Sequence, residues 1–296
     1  MAKSIRRVSL CFVLAIALVF TMMPLALQPA KAADRSAAGA VTMPASKTMA
    51  LTQGVNTKIN FGTSYNYDSY YYFQIKPTKT GYITVTSDYI SGYNVALCNA
   101  SKKLASRESK SLDDFYSAGS SYAYQKVLCY GVKKGKTYYI RVKGASGERT
   151  SDTAAYPNYS DRPFIGSIKW TNSAVKGIKY GKSKKKAVVL KKNKTRKGVV
   201  LAGVTKHQWY KIKTSKKKVK ISFYAKNNCG TIYARVHYRT YGSHGKWLKG
   251  RLFAMRGDSH YKDAGTITKY TKKKATYYVE VYPNYKASGA YTLKWK

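Results

Sequence analysis

The sequence predicts an all-β protein, two tandem antiparallel β-sandwiches behind a secretory signal. Three observations predict it. Four sequence blocks recur in the same order, the blocks alternate polar and apolar residues with period two, and no amphipathic helix of useful length competes.

The chain opens with Lys3, Arg6 and Arg7 ahead of an apolar run from Val8 to Leu27. Then comes "QPAKAAD", where Ala30-Lys31-Ala32 fits the small-x-small pattern of a signal peptidase site. Residues 1–32 read as a signal peptide, with the mature chain starting near Ala33. No later apolar stretch reaches the length of a transmembrane helix. The expected location is outside a bacterial cell, secreted or wall-associated. Residues 33–48, rich in Ala, Ser and Thr, read as a flexible leader.

The repeat organises the rest. In the first half "YYFQIKPTKTGYITV" (71–85) is followed by "KKGKTYYIRV" (133–142), "YPNY" (156–159) and "SIKW" (167–170). In the second, "QWYKIKTSKKKVKIS" (208–222) is followed by "KKKATYYVEV" (272–281), "YPNY" (282–285) and "TLKW" (292–295). The blocks place one sandwich at 49–170 and another at 184–296, with a linker at 171–183. Within "TYYIRV", Tyr138, Ile140 and Val142 share one face; in "TYYVEV" the matching set is Tyr277, Val279 and Val281. Phe73 with Ile75, and Tyr210 with Ile212, fall inward, while Gln74 and Lys211 fall outward. Such alternation makes half-buried strands, and the "PTKTG", "KKGK" and "KASG" stretches between them read as turns.

The blocks resemble the bacterial pre-peptidase C-terminal domain family. The resemblance rests on the aromatic "YYFQI" or "WYKIK" strand, the turn into "GYITV", and "LCNASKKLAS" running into a turn. The "GKTYYIRV" strand and the closing "SGAYTLKW" complete it. It covers most of both halves. It implies a jelly-roll-like β-sandwich, an accessory domain of exported bacterial proteins that binds polysaccharide, matrix or surfaces and catalyses nothing. Some relatives hold calcium through clustered acids. Here Asp113 and Asp114 are the only adjacent acidic pair and the second half has three scattered acids, a departure that argues against a metal. The peptidase that usually accompanies the family is not found in this chain.

Charge points to a partner. Of 296 residues, 55 are Lys or Arg and 12 Asp or Glu, a formal net charge of +43. Residues 33–172 hold 18 basic and 9 acidic side chains, whereas residues 173–296 hold 33 and 3. A surface decorated only for solubility mixes signs. "KSKKKAVVLKKNKTRKG" (182–198) has nine basic residues and no acid, yet "AVVL" and "GVVLAGV" (198–204) are apolar, so the first strands of the second sandwich lie here between charged turns. The residues expected to meet a polyanion are Lys184, Lys185, Lys186, Lys191, Lys192, Lys194, Arg196 and Lys197, with the triplets Lys216, Lys217, Lys218 and Lys272, Lys273, Lys274 on turns. Trp209, Tyr139 and Tyr278, outward by alternation, and Tyr65 and Tyr67 in "SYNYDSYYYF" are candidate rings for stacking on sugars or bases.

Catalysis finds no support in the residue pattern. His207, His237, His244 and His260 all lie in the second half and read as surface or loop residues. "DSH" (258–260) is consecutive, whereas a triad assembles from separate elements. Glu280 sits mid-strand on the outward face, a poor setting for a general acid. No metal ligands occur at workable spacing and no cofactor is expected. Cys98 and Cys129 both fall outward by alternation, and a disulfide between them and two free thiols stand equally open. Cys229 has no matching partner.

Three functions compete. The first is attachment to an anionic polymer, either wall teichoic acid or an acidic or sulfated glycan, through the second half. The second is extracellular nucleic-acid binding, for which no recognition motif occurs. The third is a neutral-sugar lectin using Tyr and Trp platforms in the less basic first half.

Overall fold

Among the described residues the period-two pattern is realised in twenty strands, joined by turns and one 3-10 turn (Tyr159–Asp161). The computed structural model describes residues 36–64, 66–88, 90–111, 128–151, 155, 157–215, 218–226, 230–241, 247–257, 263–268 and 275–296. The signal peptide, Tyr65, Asp113, Asp114, Lys216, Lys217, Cys229, His244, "DSH" and Lys272–Lys274 lie outside these residues.

The first half supplies β1 (Val41–Thr42), β2 (Thr48–Ala50), β3 (Asn56–Asn60), β4 (Tyr70–Ile75), β5 (Gly81–Asp88) and β6 (Ser91–Cys98). It continues with β7 (Ser109–Ser111), β8 (Leu128–Val132), β9 (Tyr138–Ser146), β10 (Glu148–Arg149) and β11 (Phe164–Ala174). The second half supplies β12 (Val188–Val189), β13 (Arg196–Val200), β14 (Gln208–Thr214), β15 (Lys218–Lys226) and β16 (Thr231–Tyr241). Then come β17 (Trp247–Gly257), β18 (Asp263–Thr268), β19 (Ala275–Asn284) and β20 (Gly289–Trp295).

In the first half one sheet runs β1-β3-β11-β5-β8, with β10 also on β11, and the other runs β2-β4-β9-β6-β7. In the second half the orders are β13-β20-β15-β18 and β12-β14-β19-β16-β17. Apart from β1 and β10 the two orders are the same, strand for strand. The sheets are mixed rather than wholly antiparallel: β1 with β3, β2 with β4, and β12 with β14 pair in parallel. The physical reason for the last two is sheet switching. The chain goes from β2 to β3 in the facing sheet and back to β4, reversing at each crossing, so β2 and β4 run the same way; β12, β13 and β14 repeat the path.

Between each pair of sheets lies a core made by the inward set. Ile83, Val85, Ile168 and Trp170 meet Phe73, Ile75, Leu97, Ile140 and Val142 in the first half. Ile221, Phe223, Leu293 and Trp295 meet Tyr210, Ile212, Val236, Val279 and Val281 in the second. Each such side chain contributes about 1.5–3 kcal/mol of burial free energy. The closing Trp of each half is satisfied in the same way: the Trp170 indole donates to the Leu51 carbonyl (3.2 Å) and the Trp295 indole to the Leu190 carbonyl (2.8 Å).

Two expected boundaries move. Residues 41–43 are not a flexible leader: β1 pairs with β3, and Met43 packs on the core. β11 runs past 170 to Ala174, since β5 offers ladder partners down to Gly81. The halves also pack on each other. Gly131 of β8 accepts from the Ala202 amide (2.8 Å), its own amide donates to Ser288 Oγ (3.3 Å), and the Gly203 amide donates to the Ala105 carbonyl (2.6 Å). A Cβ at Gly131 would lie 2.0 Å from the Val200 carbonyl oxygen, so the approach needs glycine.

Candidate functional site

Two outer faces of the second half carry the chemistry. On β15, Val219, Ile221, Phe223 and Ala225 are fully buried, which turns Lys218 and Lys220 outward. On β20, burial of Tyr291, Leu293 and Trp295 turns Lys294 outward and leaves Lys296 exposed beyond it. Register brings these amines together. The Lys220 and Lys296 backbones bond reciprocally (3.3 and 2.9 Å), Lys294 pairs with Ser222, and Lys197 of β13 pairs with Thr292. Like charges directly opposite on a sheet are destabilising. Among the described residues, the ion pairs of this half gather on Glu280, in the other sheet.

The lysines expected from the sequence divide over this frame. Lys184, Lys185 and Lys186 are exposed in the turn before β12, and the Lys184 ammonium lies 4.9 Å from the Tyr278 ring centre on the β12-β14-β19-β16-β17 sheet. Lys191, Lys192 and Lys194 are exposed on the β12–β13 connection, where the chain passes from one sheet to the other. Arg196, half-buried, and Lys197 open β13, and Lys218 opens β15. The basic segment is thus a collar round one edge, continuous with the β13-β20-β15 face, rather than one flat patch. Lys220, Lys294 and Lys296 were not among the expected residues, although the alternation of "KVKIS" and "TLKWK" carries the signal for them.

The other face is an array. Outward residues of β14, β19 and β16 form three rows: His207 just before β14, Tyr282 and Tyr233; then Trp209, Glu280 and Arg235; then Lys211, Tyr278 and His237. Glu280 is at the centre. It is outward, as alternation predicts, but not exposed: only 6% of it is accessible. His207 Nδ1 lies 2.6 Å from one carboxylate oxygen, His237 Nε2 2.7 Å from the other, and Arg235 Nη1 3.7 Å away. His207, exposed in the loop before β14, is a surface loop residue as expected, whereas His237 is half-buried on the outer face of β16; the two converge on one buried carboxylate. Burial pushes the Glu280 carboxyl up, but the histidine hydrogen bonds and charges outweigh it and hold the group below its ordinary range. The two nitrogens address different oxygens of one carboxylate. That is a hydrogen-bonded clasp, whereas metal ligation needs lone pairs converging on one point.

Rings flank the clasp. Trp209 packs on His237 (centroids 5.3 Å) and His207 on Tyr282 (5.3 Å); Tyr282 also stacks with Tyr233 (5.6 Å). Arg235 lies over the Tyr282 ring (4.5 Å) and donates to its hydroxyl (2.5 Å). Trp209 and Tyr278, expected as outward rings, are in this array and half-buried.

In the first half the equivalent face carries a different set of side chains. Tyr72 and Tyr139 take the places of Trp209 and Tyr278, and the Lys102 ammonium lies 4.5 and 5.4 Å from their ring centres. Arg141 takes the place of Glu280 and is paired with Glu108. Tyr139 is thus in contact with Lys102, and Tyr67 is 66% exposed in the loop before β4. Cys98 and Cys129 are both buried and are not joined in a disulfide, which corrects the disulfide alternative. Neither faces the core. Cys98 is on β6 under the Leu104 bridge and Cys129 is on β8, with its thiol donating to the Lys226 carbonyl (3.0 Å). They point away from opposite sheets, beyond the roughly 7 Å Cα separation that a disulfide spans.

No protein-family model matches the chain, and no curated protein matches it. Among solved structures it is similar to the pre-peptidase C-terminal domain of collagenase from Bacillus anthracis, with 17% identity and a TM-score of 0.28, over 37% of this chain and 93% of that one. An anti-sigma factor domain-containing protein is matched at 12% identity and a TM-score of 0.20, over 81% of this chain and 85% of that one. The N-terminal CBM22-1-CBM22-2 tandem domain of Xyn10C from Paenibacillus barcinonensis is matched at 8% identity and a TM-score of 0.19, over 74% and 78%.

Proposed function

We propose that the chain is an exported, non-catalytic binding module of two sandwiches, one ending with β11 and the other opening near the Gly181–Trp209 bridge, that attaches to anionic polymers through the lysines of its second half. The observation that carries this is Lys220 opposite Lys296, with Lys294 and Lys197 on neighbouring strands of the same face. A fold gains nothing from setting lysines opposite one another on one face; a polyanion laid across them offsets their repulsion. Lysine, a compact hydrated point charge, suits diffuse attachment to a polymer better than bidentate reading of one group. The polymer class is wall teichoic acid or an acidic or sulfated glycan. The resemblance of the repeated blocks to the pre-peptidase C-terminal domain family supports the same reading.

Retention of the purified chain on teichoic-acid-bearing wall and on heparin across a salt series tests it. Attachment is expected at low ionic strength and release at moderate salt. If each cation contributes about 0.7 to the slope of log affinity against log salt, replacing Lys197, Lys220, Lys294 and Lys296 by Gln lowers that slope by about three. Binding indifferent to salt, or a variant with the parent slope, refutes the reading. Preference for DNA over both polymers at matched charge assigns the face to nucleic acid instead.

A further inference from the structure

We infer that the array centred on Glu280 is a second, specific binding site, for a pyranose that carries a carboxylate, such as a uronate unit of an acidic polysaccharide. It stands on a different sheet from the β13-β20-β15 lysine face.

An outer sheet face kept only for solubility holds scattered polar residues. This one sets Trp209, Tyr278 and Tyr282 around a carboxylate that is already desolvated and clasped by two histidines. With rows two residues apart along strands at the usual spacing, the nine positions cover about 14 by 10 Å, a shallow surface of extended saccharide dimensions. Aromatic rings supply rigid, amphipathic contact area at low entropic cost, and they match the apolar face of a pyranose. A glycerol-phosphate chain has no such face to offer, so the rings and the lysine face select different partners.

Charge fixes the substituent. Arg235, Lys211 and Lys184 bring three permanent cations to the array against the single carboxylate of Glu280. Arg235 is positioned by Tyr282 and Glu280 but keeps further donors, and a guanidinium fork matches a carboxylate in bidentate fashion. Glu280 acts through others: engaged by His207 and His237, it holds the two rings against which Tyr282 and Trp209 pack. The first half supplies the contrast. Lys102 lies over both matching tyrosine rings there and donates to Thr48 (2.9 Å), and Arg141, paired with Glu108, stands where Glu280 does, so the first half has no carboxylate at the centre of the matching array.

The test is affinity electrophoresis of the whole chain in polygalacturonate, and in the same polymer with its carboxylates methyl-esterified. The runs are made at about 0.5 M salt, where the screening length is about 4 Å and diffuse attachment is silenced. Polygalacturonate is expected to retard the chain at least tenfold more strongly than its ester. Trp209→Ala and Arg235→Gln each lose at least tenfold, and Trp209→Tyr retains most of the binding. No retardation at that salt, or equal retardation by the ester, overturns the inference. So does parental binding by folded Trp209→Ala and Arg235→Gln. The two-polymer comparison uses the unaltered chain and decides even where a variant does not fold. Failure here with salt-labile wall binding intact removes this site alone; the reverse removes the lysine face alone.

Discussion

Replacing Glu280 by Gln probes the clasp with almost no change in volume. The wild-type carboxylate accepts from His207 at 2.6 Å and His237 at 2.7 Å in a position only 6% accessible. Gln keeps one acceptor and sets an NH2 group against the other histidine. Hydrogen bonds to a charged group contribute about 1.5–3 kcal/mol and neutral ones about 0.5–1.5. Weakening two of them, less the relief of desolvating a charge, leaves a loss of about 2 kcal/mol, or about 4–8 °C in Tm for a chain of this length. The pH dependence gives the sharper test. The folded carboxyl lies below its ordinary value, so its stabilisation is complete above the unfolded value of about 4.5 and is lost as pH falls through the folded one. Calorimetry of parent and Glu280→Gln from about pH 7 downward should show a Tm gap that is open above about pH 4.5 and narrows as pH falls below it. A gap independent of pH, or a variant more stable than the parent near neutrality, refutes the reasoning.

Two further outcomes follow from the packing. Gly131→Ala sets a methyl group 2.0 Å from the Val200 carbonyl oxygen, backbone against backbone, so the halves must part. Calorimetry should show a single transition broadening or splitting, with faster proteolysis between residues 175 and 205. Tyr291→Phe strips a buried network in which Tyr291 donates to Gln208 and lies 2.6 Å from the Tyr210 hydroxyl. Leaving those groups without their partner costs about 1–3 kcal/mol in denaturant unfolding. In the parent, burial pushes Tyr210 up to about 12, so spectrophotometric titration should find it among the last tyrosines to ionise.

Much of the architecture is local information. Whether a side chain points in or out depends on its parity along one strand, which is why Tyr138, Tyr277, Phe73 and Ile212 could be assigned inward from the sequence and are buried in the structure. The outward lysines at 220 and 294 obey the same parity, and counting lysine triplets instead of faces passed them over. Parity also gave the facing of Glu280, Cys98 and Cys129 but not their burial, because burial of an outward residue depends on what another segment lays over it. Glu280 meets histidines 73 and 43 positions away, and the register of three strands decides that meeting. Lys102 covers Tyr72 and Tyr139 because the turn after β6 folds back on its own sheet. The sequence by itself determined the strands, their inner faces and the excess of positive charge, all of which follow from nearest-neighbour spacing. Only the tertiary structure decided which charges stand opposite one another and which rings and cations meet, because those depend on residues brought together across strands and sheets.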